Sequence, residues 1–336
     1  MVIPYKFNPL GVSKSSYFEL VVKPGILGDS LTYGFTPYWN ANGYCKVIDW
    51  GDNTSEDAVT SGTVLTHTYS SSGTYKIKIK ADCYRMIFGA MIDNDYVKLV
   101  YNSNGNWDAL GNITDSRYMF NYCINAVFQF KNIPRNIVNG SSMFGYCKNA
   151  ILPLTSLPSS LTNSSSMFEN CFVATLPLTS LPSNLTNGSS MFSYCKNAIL
   201  PLTSLPSSLT NSIGMFSNCT SASLSITSLP SNLTAGNNMF SNCTNATLLI
   251  TSLPSNLTNG SNMFYGCNKA VIDLDTLVAN APANGWEKLT NIMYMFYNAG
   301  AGNSPGTVTG SRSAFLAKCP KVKITSDAFT GTNTTE

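Results

Sequence analysis

The sequence predicts a mainly β protein: a small N-terminal β-sandwich followed by a solenoid of 24-residue coils. The dipeptide Met-Phe recurs every 24 residues, with Phe at 120, 144, 168, 192, 216, 240 and 264, and a cysteine follows three residues after each Phe. A fixed period of this size marks coils that bury their apolar faces only against their neighbours. From Tyr17 to about Lys80 the pattern changes to strand-length runs: Phe18-Glu-Leu-Val-Val, Lys46-Val-Ile-Asp-Trp, Val64-Leu-Thr-His-Thr-Tyr and Thr74-Tyr-Lys-Ile-Lys-Ile-Lys. Gly, Asn and Ser clusters separate them, as in a small sandwich. Charged residues make up only 11% of the chain, against about 25% in a typical soluble domain. Between Ile151 and Asn268 the only charged side chains are Glu169 and Lys196, so Ser, Thr and Asn must form the surface there.

Residues 1–15, with Pro4, Pro9 and Gly11, read as an extended polar leader. They lack the basic stretch followed by an apolar stretch that marks a secretory signal. Either such a signal has been removed or the general secretory route is not used, and Met1 favours the second. No run approaches the 18 or so apolar residues of a membrane helix, so membrane insertion is not expected. With a net charge of +3 and a nearly uncharged centre, the chain lacks the basic footprint that binds nucleic acid or an anionic bilayer.

Residues 16–81 hold the predicted sandwich. The run Val47-Ile-Asp-Trp-Gly-Asp-Asn, followed by His67-Thr-Tyr and Gly73-Thr-Tyr-Lys-Ile, resembles the polycystic kidney disease (PKD) domain. That family's hallmark is a Trp-x-x-Gly-Asp-Gly-like turn, then a His-x-Tyr and a Gly-x-Tyr strand. Asn53 stands where the family usually has its second Gly. The resemblance implies an immunoglobulin-like sandwich acting as a spacer or adhesion module, with His67 a packed or capped family residue. Residues 82–112 are expected to form an N-terminal cap, with Trp107 and Val97-Lys-Leu-Val-Tyr covering the open apolar end of the first coil.

The repeat can be read position by position from Leu152 to Cys171. Leu152 and Leu154 point one way and Pro153 the other, which suits a short strand. Pro153, Pro177 and Pro201 sit inside that strand in three coils, and each removes a ladder hydrogen bond, so a continuous sheet is not expected there. Leu157-Pro158 turns the chain, Leu161 points inward, and Thr162-Asn-Ser-Ser-Ser offers side-chain oxygens to free amides. Met167-Phe168 closes the coil in a single helical turn, with Cys171 one turn on.

With its seven Met-Phe-x-x-Cys copies, this unit resembles the BspA-like leucine-rich repeats of bacterial surface proteins, over residues 113–299. An eighth copy, Met295-Phe296, has Ala299 in place of Cys and follows after 32 residues, placing an insertion between about Asp273 and Glu287. Residues 300–336, with Phe315 and Cys319, are expected to form a C-terminal cap. The stretches Tyr146–Ser164 and Tyr194–Ser212 are identical. Duplication explains this, as does a repeated ligand of matching pitch.

Cys123, Cys147, Cys171, Cys195, Cys219, Cys243 and Cys267 should form one buried column of reduced thiols, because stacked coils bring equivalent residues about 4.8 Å apart. Their spacing gives no metal site, and no cofactor is expected. No phosphate loop, His-Glu-x-x-His or nucleophile elbow occurs, so no catalytic residue is assigned. Asp93/Asp95 and Asp273/Asp275 are acidic pairs that could hold a cation or serve a glycosidase, although such loops are commonly just solvated. The triplets at Asn163, Asn187 and Asn259 match the glycosylation sequon through the repeat itself.

Candidate ligand contacts are Tyr122, Tyr146, Tyr194 and Tyr265, in or next to a variable slot beside the cysteines that elsewhere holds Asn170, Asn218 and Asn242. Tyrosine among Asn and Ser suits a neutral sugar or a protein face; packing over the neighbouring coil is the other reading. The expected function is non-enzymatic recognition of a host-cell surface glycan or protein through the solenoid, as in a phage tail or virion surface protein. The leader would then dock onto other virion proteins. The alternative is a bacterial cell-surface BspA-like adhesin.

Overall fold

The computed structural model describes residues 17–336 apart from 27–29, 59, 90–99, 173–175, 198–199, 222–223, 301–306, 324 and 326. The leader 1–15, Val97 to Leu99 of the expected cap and the Asp93/Asp95 pair lie outside the described residues. The described chain is mainly β, with two short α-helices.

The first strands are β1 (Phe18–Val22), β2 (Thr32–Tyr38), β3 (Tyr44–Asp49), β4 (Glu56–Asp57), β5 (Leu65–Thr68) and β6 (Tyr75–Asp82). Two more, β7 (Arg85–Ile87) and β8 (Val100–Ser103), come from the stretch expected to be a cap. They form antiparallel sheets ordered β4-β3-β6-β1-β8 and β5-β2-β7. Period-two alternation puts Phe18, Leu20 and Val22 of β1 and Ile77, Ile79 and Ala81 of β6 on the buried side. Phe35 of the smaller sheet meets Trp50, at the end of β3, and Phe88. Asn53 has φ +69°, the left-handed conformation that glycine and asparagine adopt at least cost.

The repeats follow as stacked coils joined by parallel bridges at Asp115, Asn139, Asn163, Asn187, Asn211, Ala235, Asn259 and Asn291. Around each Met-Phe the amides alternate in direction. Gly140, Ser142, Phe144 and Tyr146 donate to Asn163, Ser165, Met167 and Glu169 of the next coil, while Met143, Gly145 and Cys147 donate three residues back within their own coil. The expected helical turn is therefore replaced by a chain of tight turns. A helix would point every amide along its own axis, whereas here every second one ties two coils together.

The strand positions follow the prolines. No strand forms at Leu152–Leu154 or its equivalents at Pro177 and Pro201 among the described residues. Where Ser225 and Leu249 take that place, β9 (Ser225–Ile226) and β10 (Thr247–Leu249) appear. They continue through β11 (Ala270–Asp273) to β12 (Thr307–Thr309) as a parallel sheet. The amide that proline lacks is what the ladder needs.

The polar stretch after Leu161 caps backbone amides as expected through its asparagine, but not through its hydroxyls. Asn163 accepts the Ser165 amide (3.0 Å), and Asn139, Asn187, Asn211, Asn259 and Asn291 repeat the motif. The hydroxyls instead donate: Thr186, Thr210, Thr234 and Thr258 each bond the carbonyl of the threonine one coil earlier. Buried Ser164 and Ser212 donate to Met191 and Met239 Sδ. Donation wins because the backbone amides are already used, between coils, within them or by asparagine.

Two columns run through the core. Phenylalanine rings stack from Phe120 to Phe296 with centroids 5.5–6.0 Å apart. The column continues upstream through Phe88 to Phe18 of β1, and downstream to Phe329. Beside it the seven cysteines are free and buried. Each thiol from Cys147 to Cys267 donates to the carbonyl of the Phe in the preceding coil, as in Cys195 Sγ to Phe168 O at 3.0 Å. Burial raises the Cys123, Cys147, Cys171, Cys195 and Cys243 thiols well above their ordinary range and pushes Cys267 up to about 12.

Both ends are covered. Trp107 packs on Phe18, Phe120 and Phe130 and donates its indole N–H to Asn132 O. The eight-residue insertion forms helix α1 (Leu274–Ala279), which packs near α2 (Arg312–Ala317). The tail expected to be only a cap contains another coil. Ala328-Phe329 occupies the Met-Phe place, with Phe296 N donating to Ala328 O and Ser311 bridging Thr335.

Candidate recognition surface

Two positions in each coil have left-handed backbone. Two residues after the Phe stand Tyr122, Tyr146, Asn170, Tyr194, Asn218, Asn242, Gly266, Asn298 and Gly331, with φ between +51° and +72°. Two residues before the Phe stand Tyr118, Ser142, Ser166, Ser190, Gly214, Asn238, Asn262, Tyr294 and Asp327, with φ between +51° and +61°. This geometry aims alternate amides at the next coil, and glycine or asparagine adopts it at least cost. A bulky side chain there is an outlier. Asparagine and glycine in the first set are therefore what the fold asks for. Tyr122, Tyr146 and Tyr194 are not.

Tyr122 and Tyr146 stack with ring centroids 4.7 Å apart and 13° between planes. Burial, then the Glu169 carboxylate and the neighbouring Tyr122 and Tyr194, hold the Tyr146 hydroxyl above its usual range. Tyr194 lies beyond Asn170 and is 42% exposed. Lys196 follows it, with its ammonium 5.6 Å from the Phe172 ring centre. Tyr265 stands apart. Gly266 holds the left-handed slot, and Tyr265, one residue earlier, stacks on Tyr297 (5.0 Å, 7°) with Tyr294 edge-on to both. The structure thus divides the four tyrosines into a line (Tyr122, Tyr146, Tyr194) and a separate cluster (Tyr265, Tyr294, Tyr297). Neither Tyr294 nor Tyr297 is among the sequence candidates, although Tyr297 follows Phe296 as Tyr265 follows Phe264.

The other polar candidates have structural roles. Asp273 caps α1, accepting from the Thr276 amide (3.0 Å) and hydroxyl (2.6 Å), which hold its carboxyl below the usual range. Asp275 accepts the Ser311 amide at 3.0 Å. His67 pairs with Asp52 at 2.8 Å and stacks on buried Trp50. Asn163, Asn187 and Asn259 each bind an amide two residues on. Among the described residues no group of three or more His, Cys, Asp or Glu side chains is placed to hold a metal, and no helix is long and apolar enough to cross a membrane.

The family model described as "Mycoplasma protein of unknown function, DUF285" matches residues 90–204, 162–277 and 210–308, overlapping windows that cover most of the chain. The chain belongs to this family. As a DUF285 member it is a BspA-like repeat protein, and the overlapping matches follow the stack of coils from before Phe120 to beyond Phe296. No curated protein and no solved structure matches it.

Proposed function

We propose that this DUF285 protein is a non-enzymatic surface recognition protein that binds a neutral glycan or a protein face through Tyr122, Tyr146 and Tyr194. One observation carries the reading. All three tyrosines occupy a left-handed slot that six other coils, the terminal one included, fill with Asn or Gly, so the fold itself gives no reason for them. Tyrosine supplies contact area with few rotatable bonds, and the surrounding Ser and Asn supply hydrogen bonds without charge. The stacked coils serve as a BspA-like solenoid that presents this line, and the N-terminal sheets as a PKD-like spacer. The surface is that of a bacterial cell or of a virion. An export signal upstream in the reading frame, or neighbouring capsid and tail genes, separates the two.

Glycan-array and whole-cell binding of the full chain, at low and high sodium chloride, tests the reading. Retention that changes little with salt is expected, because contacts without charge are not screened. Binding that collapses in moderate salt, or detectable turnover of a bound glycan, would overturn it.

A further inference from the structure

The cluster of Tyr265, Tyr294 and Tyr297 lies apart from the tyrosine line, and the coil does not require it. The position directly after the Phe holds Ser193, Ser217 and Ser241 in the three coils before Tyr265, and Thr330 in the last. Ser193 and Ser241 are buried there. Tyrosine takes this position only at Tyr265 and Tyr297, in adjacent coils, and the two rings stack with centroids 5.0 Å apart and 7° between planes. Tyr294 stands at φ +53°, in a left-handed position that seven of the nine coils fill with Ser, Gly, Asn or Asp, and a bulky side chain is strained there. Its ring is edge-on to both of the others, at 6.3 and 5.5 Å. All three side chains are half-buried, and among the described residues none of their hydroxyls has a hydrogen-bond partner within the protein.

A polar track connects this cluster to the line. After Tyr194 the left-handed slot beside the cysteines holds Asn218 and Asn242, whose side-chain amides are bonded to each other at 3.2 Å. Gly266 comes next, so close to Asn242 that a Cβ on it would lie 2.8 Å from the amide oxygen. No charged residue occurs from Asn197 to Asn268. Tyr194 and Tyr265 are three coils apart, roughly 15 Å at the strand spacing of about 4.8 Å per coil.

We propose that Tyr265, Tyr294 and Tyr297 form a second subsite for a neutral, unbranched glycan that lies along the stack and also engages the tyrosine line. This rests on the reading of that line as a recognition site, and it narrows the ligand to a chain long enough to span three coils. A single sugar would need only one aromatic group. Two such groups joined by an uncharged amide track fit a repeating polymer, whose ring faces meet tyrosine and whose hydroxyls meet amides and phenols. Once one end is held, the second contact becomes intramolecular, so affinity grows steeply when the chain first reaches both groups.

The test titrates the full chain with cello-, chito- and laminari-oligosaccharides, each as a length series from disaccharide to octasaccharide. For a series that binds, wild-type affinity should rise by about 100-fold or more between trisaccharide and octasaccharide, a readout that needs no variant to fold. The combined variant Tyr265→Ser, Tyr294→Asn and Tyr297→Thr uses residues that the same positions already hold in Ser241, Asn262 and Thr330. With its Tm checked, it should bind the octasaccharide no more tightly than the trisaccharide. Wild-type affinity that does not grow with length, or a variant that keeps the growth, would overturn the second subsite and leave the tyrosine line standing. No binding at any length in any series would overturn the line together with it.

Discussion

Truncating Phe192 to alanine should show how much the ring column stabilises the stack. The side chain is fully buried, with its ring between Phe168 (5.6 Å, 7°) and Phe216 (5.5 Å, 8°). Burying a phenylalanine stabilises by about 1.5–3 kcal/mol, and each stacked pair adds about 0.5–1.5 kcal/mol. With both neighbours retained and unable to collapse into the gap, Phe192→Ala should cost about 3–5 kcal/mol, the range for truncated buried aromatics. Ser189→Ala in the same coil removes one bond, Ser189 Oγ to Ile213 O at 3.2 Å, and should cost about 0.5–1 kcal/mol. Urea denaturation of both variants gives the comparison. Hydrogen exchange should show protection of the Phe168 and Phe192 amides, which donate to the following coil, falling together in Phe192→Ala. Similar small losses for both variants would refute the continuous column as the main support of the coils.

Three further outcomes follow from the same geometry. Native thiol titration should find the column from Cys123 to Cys267 unreactive until the chain unfolds; rapid labelling of most of these thiols in folded protein would contradict the packing. Cys195→Ala should cost about 1–2 kcal/mol by urea denaturation, because the Phe168 carbonyl loses a buried donor, whereas a neutral result would mean the thiol only fills space. Burial alone would raise the Asp115 carboxyl, but its bonds to Arg117 and the charge of Arg85 outweigh burial and hold it below the usual range. Such a group stabilises above its unfolded value, about 3.9, and the contribution is lost as pH falls through the folded value. Tm should therefore fall below about pH 4, and less steeply in Asp115→Asn; identical acid profiles would show that the pair contributes nothing.

The period, the cysteine column and the effect of the prolines were legible because each repeats at one spacing, and burial acts on the same side chain in every coil. The left-handed positions were written in the sequence too, as Asn170, Asn218, Asn242 and Gly266 beside Tyr122, Tyr146 and Tyr194. They read as a side-chain slot because identity was weighed before backbone, and Tyr265 was grouped with them although it lies one residue off. The last coil escaped because Ala328-Phe329 lacks both the methionine and the cysteine and comes 33 residues after Phe296. Phe88 and Phe18 join the ring column from outside the repeats, a tertiary contact that no periodicity encodes. The thiol donors were missed because cysteine was treated only as a small apolar group.

Recognition through the tyrosine line is tested most directly by measuring Tm and target binding together for one variant, Tyr122→Asn, Tyr146→Asn and Tyr194→Asn combined. Asparagine already occupies this backbone position in Asn170, Asn218, Asn242 and Asn298, and it relieves a left-handed cost of about 1–2 kcal/mol per tyrosine, offset in part by the lost Tyr122–Tyr146 stack. The expected result is an equal or higher Tm with binding to cells or glycan abolished. A lower Tm with binding intact would show that the tyrosines serve the fold and that recognition lies elsewhere on the chain.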